Sequence, residues 1–212
     1  RPDGQRRWIR LLIAAVIAAP VGYFVGMVLA RAFPDAGPLE ALISGLRWAD
    51  AVAAVLSVLL ALSATVVFFC SFSPIRAARL LVLPEAASPE EIRLLRRQGV
   101  ICLLSAVVLA LPVILPAGGV SPLIALGLIV ALLAFHTVLN LGFYRDSDEM
   151  LRAVTTEAAM KTFWIGQGVL FLWAAAERLG VAPVLTAWDI YVVLMGLYLA
   201  IATVVTARRG LA

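Results

Sequence analysis

The 47 residues from Gln98 to Tyr144, QGVICLLSAVVLALPVILPAGGVSPLIALGLIVALLAFHTVLNLGFY, contain no aspartate, glutamate, lysine or arginine. A helix needs about 20 apolar residues to cross roughly 30 Å of hydrocarbon, so this stretch is too long for one crossing and sufficient for two. The break is expected between Pro112 and Pro122, where prolines and Gly118-Gly119 cluster. Ser121 followed by Pro122 is typical of a helix start. The segment therefore predicts two transmembrane helices joined by a short turn.

The composition of the whole chain is also apolar and poor in charge. Of its 212 residues, 63% are apolar and 14% are charged, whereas soluble domains have about 45–50% and about 25%. A soluble protein of this length has too little interior to bury so many apolar side chains. The composition also excludes a disordered chain, and two cysteines are too few for a disulfide scaffold. The sequence therefore predicts a polytopic membrane protein.

Four further apolar stretches of sufficient length bring the expected number of crossings to six. We expect an all-α helix bundle that forms a single transmembrane domain. Its spans, numbered first to sixth, are predicted at about residues 9–30, 49–72, 99–116, 122–143, 158–177 and 188–207. Residues 73–98 and 144–157 are then cytoplasmic loops.

The distribution of charge predicts the orientation of these spans. The segments on the side of the two termini hold 14 of the 17 lysines and arginines, and their net charge is +6 against −2 on the other side. Because basic residues accumulate on the cytoplasmic side, both termini are predicted to be cytoplasmic. The basic net charge is thus a topology signal, and nucleic acid is not an expected partner.

One lysine beside 16 arginines, with abundant alanine and valine, indicates a GC-rich bacterial genome and hence the bacterial cytoplasmic (inner) membrane.

Helices are expected to begin inside both cytoplasmic loops. Ser88-Pro89-Glu90-Glu91 is a capping box, with Ser88 as the cap and Glu91 three residues later. Asp146 or Ser147 is predicted to cap a second helix. Each of these helices is expected to continue into the following span without a break.

No constellation of catalytic residues is visible in the sequence. A single histidine, His136, excludes a histidine-rich metal site. Cys70 and Cys102 lie at the cytoplasmic ends of the second and third spans and are expected to be free packing thiols, with a redox pair or a shared metal as the alternative. Nucleophile-elbow, zinc-protease and phosphate-loop motifs are absent. We therefore expect a protein that is not an enzyme and that holds neither metal nor cofactor.

Polar residues within the predicted spans are the best candidates for function, because polar side chains are costly in lipid. His136 and Asn140 share one face of the fourth span, and Glu157, Lys161 and Gln167 enter the fifth span from the same side of the membrane. The two spans are consecutive, so these groups are candidates for one polar patch. One interpretation is a proton or ion step, or a ligand pocket open to the cytoplasm. The other is structural, with His136 and Asn140 bonding to neighbouring helices.

Small residues at four-residue spacing predict close contacts between helices. The first span carries Gly22, Gly26 and Ala30, and the second carries Ala53, Ser57 and Ala61. The pattern leaves open whether the partner helix belongs to this chain or to another.

At the outer side, the charged residues near the span ends are expected to form an interfacial ion-pair network; they are Arg47, Asp50, Glu177, Arg178 and Asp189.

The function that these features favour is a non-catalytic membrane protein, an accessory, assembly or regulatory subunit that acts through helix–helix contacts. The alternative is a small transporter or channel component that uses the polar patch on the fourth and fifth spans. An intramembrane enzyme is the third hypothesis. The expected partners are the lipid bilayer and either further copies of the chain or a larger membrane complex.

Overall fold

The fold of residues 47–209, the part of the chain that the computed structural model describes, is entirely helical. Six helices occur there and no strand does. They are α1 (Trp48–Ser71), α2 (Pro74–Leu81), α3 (Pro89–Ala117), α4 (Pro122–Asp146), α5 (Glu149–Arg178) and α6 (Ala187–Arg208). The predicted first span and its Gly22, Gly26 and Ala30 lie outside the described residues.

Four of these helices are long and apolar enough to cross a membrane, namely α1, α3, α4 and α6. They correspond to the second, third, fourth and sixth predicted spans, and they are consistent with an integral membrane protein. The fifth predicted span lies in α5, which is not among the four. Its apolar half is interrupted by Lys161 and Gln167, and these polar residues lower its mean hydropathy. The six-span count therefore stays a prediction.

The helix starts follow the capping chemistry of the sequence at two of three predicted positions. Ser88 Oγ accepts the Glu91 N–H, and the Glu91 carboxylate accepts the Ser88 N–H, so the capping box is confirmed. Ser121 caps α4 through the Ile124 N–H. Capping by Asp146 or Ser147 is wrong: α4 continues through Asp146, Ser147 is extended, and the Asp148 carboxylate caps α5.

The predicted loop at 73–98 contains a helix of its own before Ser88, which was not predicted from the sequence. Helix α2 begins at Pro74 after an extended Ser73, and it ends where Val82 adopts a left-handed conformation with φ 57°. Proline at the first helical position loses no hydrogen bond there. Ala77 and Ala78 of α2 pack against Ala87 and Leu95, which fixes α2 on the start of α3.

The helices pack as two groups that α1 connects. Helix α1 packs along α3, α3 packs along α4, and α5 packs along α6, while a smaller contact joins α1 to α6. Helices α4 and α5 share no extended contact with each other. This arrangement separates the polar residues of α4 from those of α5, with consequences for the candidate site.

Small residues of α1 form its contact with the neighbouring helices. Ala53 is fully buried in a cluster with residues of α3 and α6, and Ala61 packs against the same cluster. Ser57 is buried between them, and its hydroxyl donates to the Ala106 carbonyl of α3 at 2.9 Å. The helix that receives these three residues therefore belongs to this chain.

Polar side chains fasten α1 to α6 at the end of the bundle that is predicted to face outward. The Arg47 guanidinium donates to both carboxylate oxygens of Asp189, at 2.9 and 2.7 Å, and to the Thr186 hydroxyl. The Trp188 indole donates to Asp50 at 2.8 Å. We call these five residues the outer clamp. Of the predicted ion-pair network, the pair Arg47–Asp189 is confirmed. Asp50 accepts from Trp188 and Glu177 accepts from the Leu185 N–H, and within residues 47–209 neither Glu177 nor Arg178 forms an ion pair.

Candidate functional site

The histidine of α4 lies in a hydrogen-bonded cluster between α3 and α4. Ser105 Oγ of α3 is 2.8 Å from His136 Nε2. The Asn140 side-chain nitrogen, one turn after His136, donates to the His136 carbonyl at 3.1 Å and lies 3.0 Å from Nε2 and 3.3 Å from Nδ1. We call Ser105, His136 and Asn140 the histidine cluster. All three side chains are half-buried in the chain.

The Ser105 hydroxyl has two hydrogen-bond partners within reach. It lies 2.9 Å from the Ile101 carbonyl, an atom that only accepts, and 2.8 Å from His136 Nε2. A serine has one proton to donate, so the tautomer of His136 sets whether the Ser105 oxygen donates to His136 Nε2 or accepts from it.

A second cluster joins α5 to the end of α6. Lys161 Nζ and Arg209 Nη2 bind the two carboxylate oxygens of Glu157. The hydrogen bond from Lys161, followed by that from Arg209, holds the pKa of the Glu157 carboxyl below its usual value. The Glu157–Lys161 part of this cluster is a helix pair at i,i+4 spacing. We call Glu157, Lys161 and Arg209 the glutamate cluster.

The fifth residue of the predicted patch, Gln167, stands apart from both clusters. It is exposed on α5, two turns after Lys161, and no hydrogen bond joins its amide to any residue of the range 47–209. Its neighbours on the same face of the helix are aromatic. Phe163, Trp164 and Phe171 are 60, 66 and 70% exposed.

The five residues therefore occupy three separate places, and no hydrogen bond or ion pair between the described residues links the three. His136 and Asn140 face α3, whereas Glu157 and Lys161 face the end of α6. The physical reason is that α4 and α5, although consecutive, do not pack along each other. A single patch on the fourth and fifth spans does not follow from this packing.

Two members of the clusters were not anticipated from the sequence. Ser105 is one polar residue in an apolar span, and the sequence contains no signal that it faces His136 across the α3–α4 contact. Arg209 follows the last helix, where a basic residue is expected on the cytoplasmic side in any case. Its contact with Glu157 depends on how α5 and α6 pack.

Comparisons of the chain with protein-family models, curated proteins and solved structures find no match. The function is therefore inferred from the geometry.

Within residues 47–209, no three histidine, cysteine, aspartate or glutamate residues are grouped so that they could hold a metal ion. Cys70 and Cys102 are half-buried free thiols.

An open groove of about 980 Å³ lies at the end of the bundle that is predicted to face the cytoplasm. Its wall combines both signs of charge, including Arg93, Arg97, Glu90 and Asp146, with leucines such as Leu80 and Leu94. Arg97 and Asp146 are paired with each other. This mixture of paired charge and aliphatic surface does not favour one class of ligand.

Proposed function

We propose that the chain is a non-catalytic subunit of a bacterial inner-membrane complex, with an accessory, assembly or regulatory role that it performs by contact with a partner's transmembrane helix. The observation that carries this proposal is the position of Gln167. It lies on the exposed aromatic face of α5, inside the predicted fifth span, and lacks a hydrogen-bond partner among residues 47–209.

The glutamine amide is a strong reason for a second helix on this face. A side-chain amide offers two N–H donors and a carbonyl acceptor, and lipid tails satisfy none of them. Interhelical hydrogen bonds of such groups contribute about 0.6–2 kcal/mol each in membranes. Gly168, next to Gln167, has open space where a side chain would be. The absence of a side chain there allows another helix to approach the Gln167 amide closely.

The other polar groups of the predicted patch do not need a partner. The histidine cluster is satisfied by hydrogen bonds within α3 and α4, and the glutamate cluster is an internal ion-pair network. The small residues Ala53, Ser57 and Ala61 are occupied by contacts inside the chain. These facts favour α5 over the other described helices as the contact surface.

The experiment that tests this proposal is native mass spectrometry of the full chain released from its own membrane in a mild detergent. We expect a defined complex for the natural chain, and loss of the partner by Gln167→Leu and by Gly168→Leu with an unchanged melting temperature. The matched control is Gly127→Leu on α4, where the added side chain also meets open space. A natural chain that is monomeric and unaccompanied would contradict the proposal, as would a complex that both α5 variants retain.

A second candidate function, a small transporter or channel component, is favoured by the histidine cluster. An intramembrane histidine in contact with a hydroxyl and an amide is a group through which a proton could pass. The test is proton flux in liposomes that contain the full chain. We expect His136→Gln to abolish such a flux if this function is correct, whereas Thr137→Val, next to it on an exposed position, leaves it unchanged. Equal flux in liposomes with and without the natural chain would dismiss this function.

A further inference from the structure

We infer that α2 is an interfacial helix that binds the phosphate-bearing headgroups of anionic phospholipids through Arg76 and Arg79. This inference goes beyond the proposed function and does not depend on the α5 contact. It rests on the place of α2 in the chain, on the two faces of the helix and on the charge around it.

The place of α2 is the point where an apolar helix ends. Helix α1 is long and apolar enough to cross a membrane and ends at Ser71, and α2 begins only three residues later at Pro74. The aromatic side chains at this junction, Phe69 and Phe72, are 62 and 76% exposed. Exposed phenylalanines at the end of a span belong in the acyl region, so α2 is held at the height of the headgroups.

The two faces of α2 differ sharply. Ala77 and Ala78 are buried against the start of α3, which holds that side of the helix on the protein. The opposite side carries Ile75, Arg76 and Arg79, all exposed. At 3.6 residues per turn these three side chains lie within about a third of the circumference. An exposed face that combines arginine with a large aliphatic side chain is typical of helices that lie in the membrane interface.

The charge on the exposed face of α2 is available to a ligand. Residues 71–84 contain no acidic residue, and Glu85 follows only after the left-handed turn at Val82. Among the described residues, neither Arg76 nor Arg79 forms an ion pair, in contrast to Arg47, Arg97 and Arg209. Two guanidinium groups that pair with no carboxylate of residues 47–209 match the charge and the hydrogen-bond acceptors of phosphate.

The position of Arg76 favours a lipid over a soluble anion. Its guanidinium carbon lies 4.6 Å from the centre of the Phe69 ring, on the last turn of α1. This cation–π contact keeps the charge beside the apolar surface. A headgroup phosphate whose acyl chains cover Phe69 and Phe72 therefore contacts both the charge and the exposed rings, whereas free phosphate contacts the charge alone.

The test uses the full chain in nanodiscs of equimolar phosphatidylcholine and phosphatidylglycerol, with native mass spectrometry of the lipids that remain bound. We expect the natural chain to retain phosphatidylglycerol preferentially. Since a basic residue near an anionic surface contributes about 1 kcal/mol, Arg76→Gln and Arg79→Gln should each reduce the preference about fivefold, and the double variant about 25-fold. The melting temperature of Arg79→Gln should equal that of the natural chain, because the side chain is exposed. Arg76→Gln also loses the contact with Phe69 and should lower the melting temperature by at most a few degrees.

The matched control is Arg93→Gln, which removes the same charge from a side chain of α3 that is 80% exposed. Its lipid preference should be that of the natural chain. An equal loss in Arg93→Gln would overturn the inference, since the effect would then be one of net charge. An unchanged preference in the double variant would overturn it as well. Inorganic phosphate at 100-fold excess over lipid should not displace phosphatidylglycerol, and displacement would show a site for the free anion.

Discussion

Ser57 is the residue on which the contact between α1 and α3 depends most directly. It is buried, and its hydroxyl bonds to the Ala106 carbonyl of the neighbouring helix at 2.9 Å. We predict that Ser57→Ala lowers the free energy of unfolding by about 0.6–2 kcal/mol, the range of interhelical hydrogen bonds in membranes. The measurement is reversible unfolding of the full chain in mixed micelles, followed by circular dichroism.

The control for this prediction is Ser63→Ala on the same helix. The Ser63 hydroxyl is exposed and bonds to the Leu59 carbonyl of its own helix. Its removal leaves contacts between helices intact, so the stability should change by less than about 0.5 kcal/mol. An equal loss in the two variants would show that the interhelical bond contributes nothing of its own.

Single residues also show where prediction from the sequence ends. Ser88 and Ser121 were recognisable as caps because their signal is local, a serine followed by proline before an apolar run. Ser105 and Arg209 were not recognisable as partners of His136 and Glu157. Those contacts depend on how helices distant in sequence are rotated against each other, and a list of polar residues in spans does not contain that information.

The contact between α5 and α6 is an element-scale feature, and two neighbouring glycines allow it to be tested. A Cβ atom at Gly166 would lie 2.7 Å from Leu194 Cδ2 of α6, whereas a Cβ at Gly168 would meet open space. We predict that Gly166→Leu destabilises the chain by about 1–3 kcal/mol, because it overpacks this contact. Thermal unfolding in detergent measures the effect. Gly168→Leu is the control and should not destabilise the monomer; a loss of stability there would contradict the geometry.

The start of α3 should depend on pH through its capping box. The Ser88 backbone N–H, and after it the Ser88 hydroxyl, bond to the Glu91 carboxylate and hold its pKa below the usual value. A lowered pKa means that this contact stabilises the fold above the unfolded pKa, about 4.3, and that the stabilisation is lost as pH falls through the folded value.

The measurement for this prediction is the melting temperature of the natural chain and of Glu91→Ala between pH 7 and pH 3. The natural chain should be the more stable of the two at pH 7, and the difference should shrink below about pH 4.3. Glu90→Ala is the control, since Glu90 is exposed and its contact with Arg93 is long, at 3.9 Å. A difference that is independent of pH would show that the carboxylate charge plays no part.

The helices themselves were predictable to different extents, for physical reasons. Long apolar runs identify α1, α3, α4 and α6, because hydropathy is a property of the local sequence. Helix α2 was missed although Ser73-Pro74 repeats the signal of Ser88-Pro89 and Ser121-Pro122. Arg76 and Arg79 make the local sequence polar, so its hydropathy does not indicate that Ala77 and Ala78 form an apolar contact. Residues this small become part of a core only through the neighbour that covers them.

The orientation of the chain in the membrane is a prediction from its charge distribution and is directly measurable. We predict that the end with Glu85 faces the cytoplasm and that the end with Val181 faces outward. Both positions are exposed. In a chain whose Cys70 and Cys102 are replaced by alanine, a membrane-impermeant maleimide added to intact spheroplasts should label Val181→Cys and not Glu85→Cys. Lysis should then allow labelling of both. Labelling of Glu85→Cys in intact spheroplasts would reverse the topology.

The outer clamp has a consequence for how the molecule is made. Arg47 and Asp189 are 142 residues apart, and ribosomes add roughly 5–20 residues per second. Asp189 is therefore synthesised on the order of ten seconds after Arg47, and the ion pair cannot form before then. The fastening of α1 to α6 is therefore among the last events of biogenesis. A chain cut short before Asp189 lacks the carboxylate that joins Arg47 to α6.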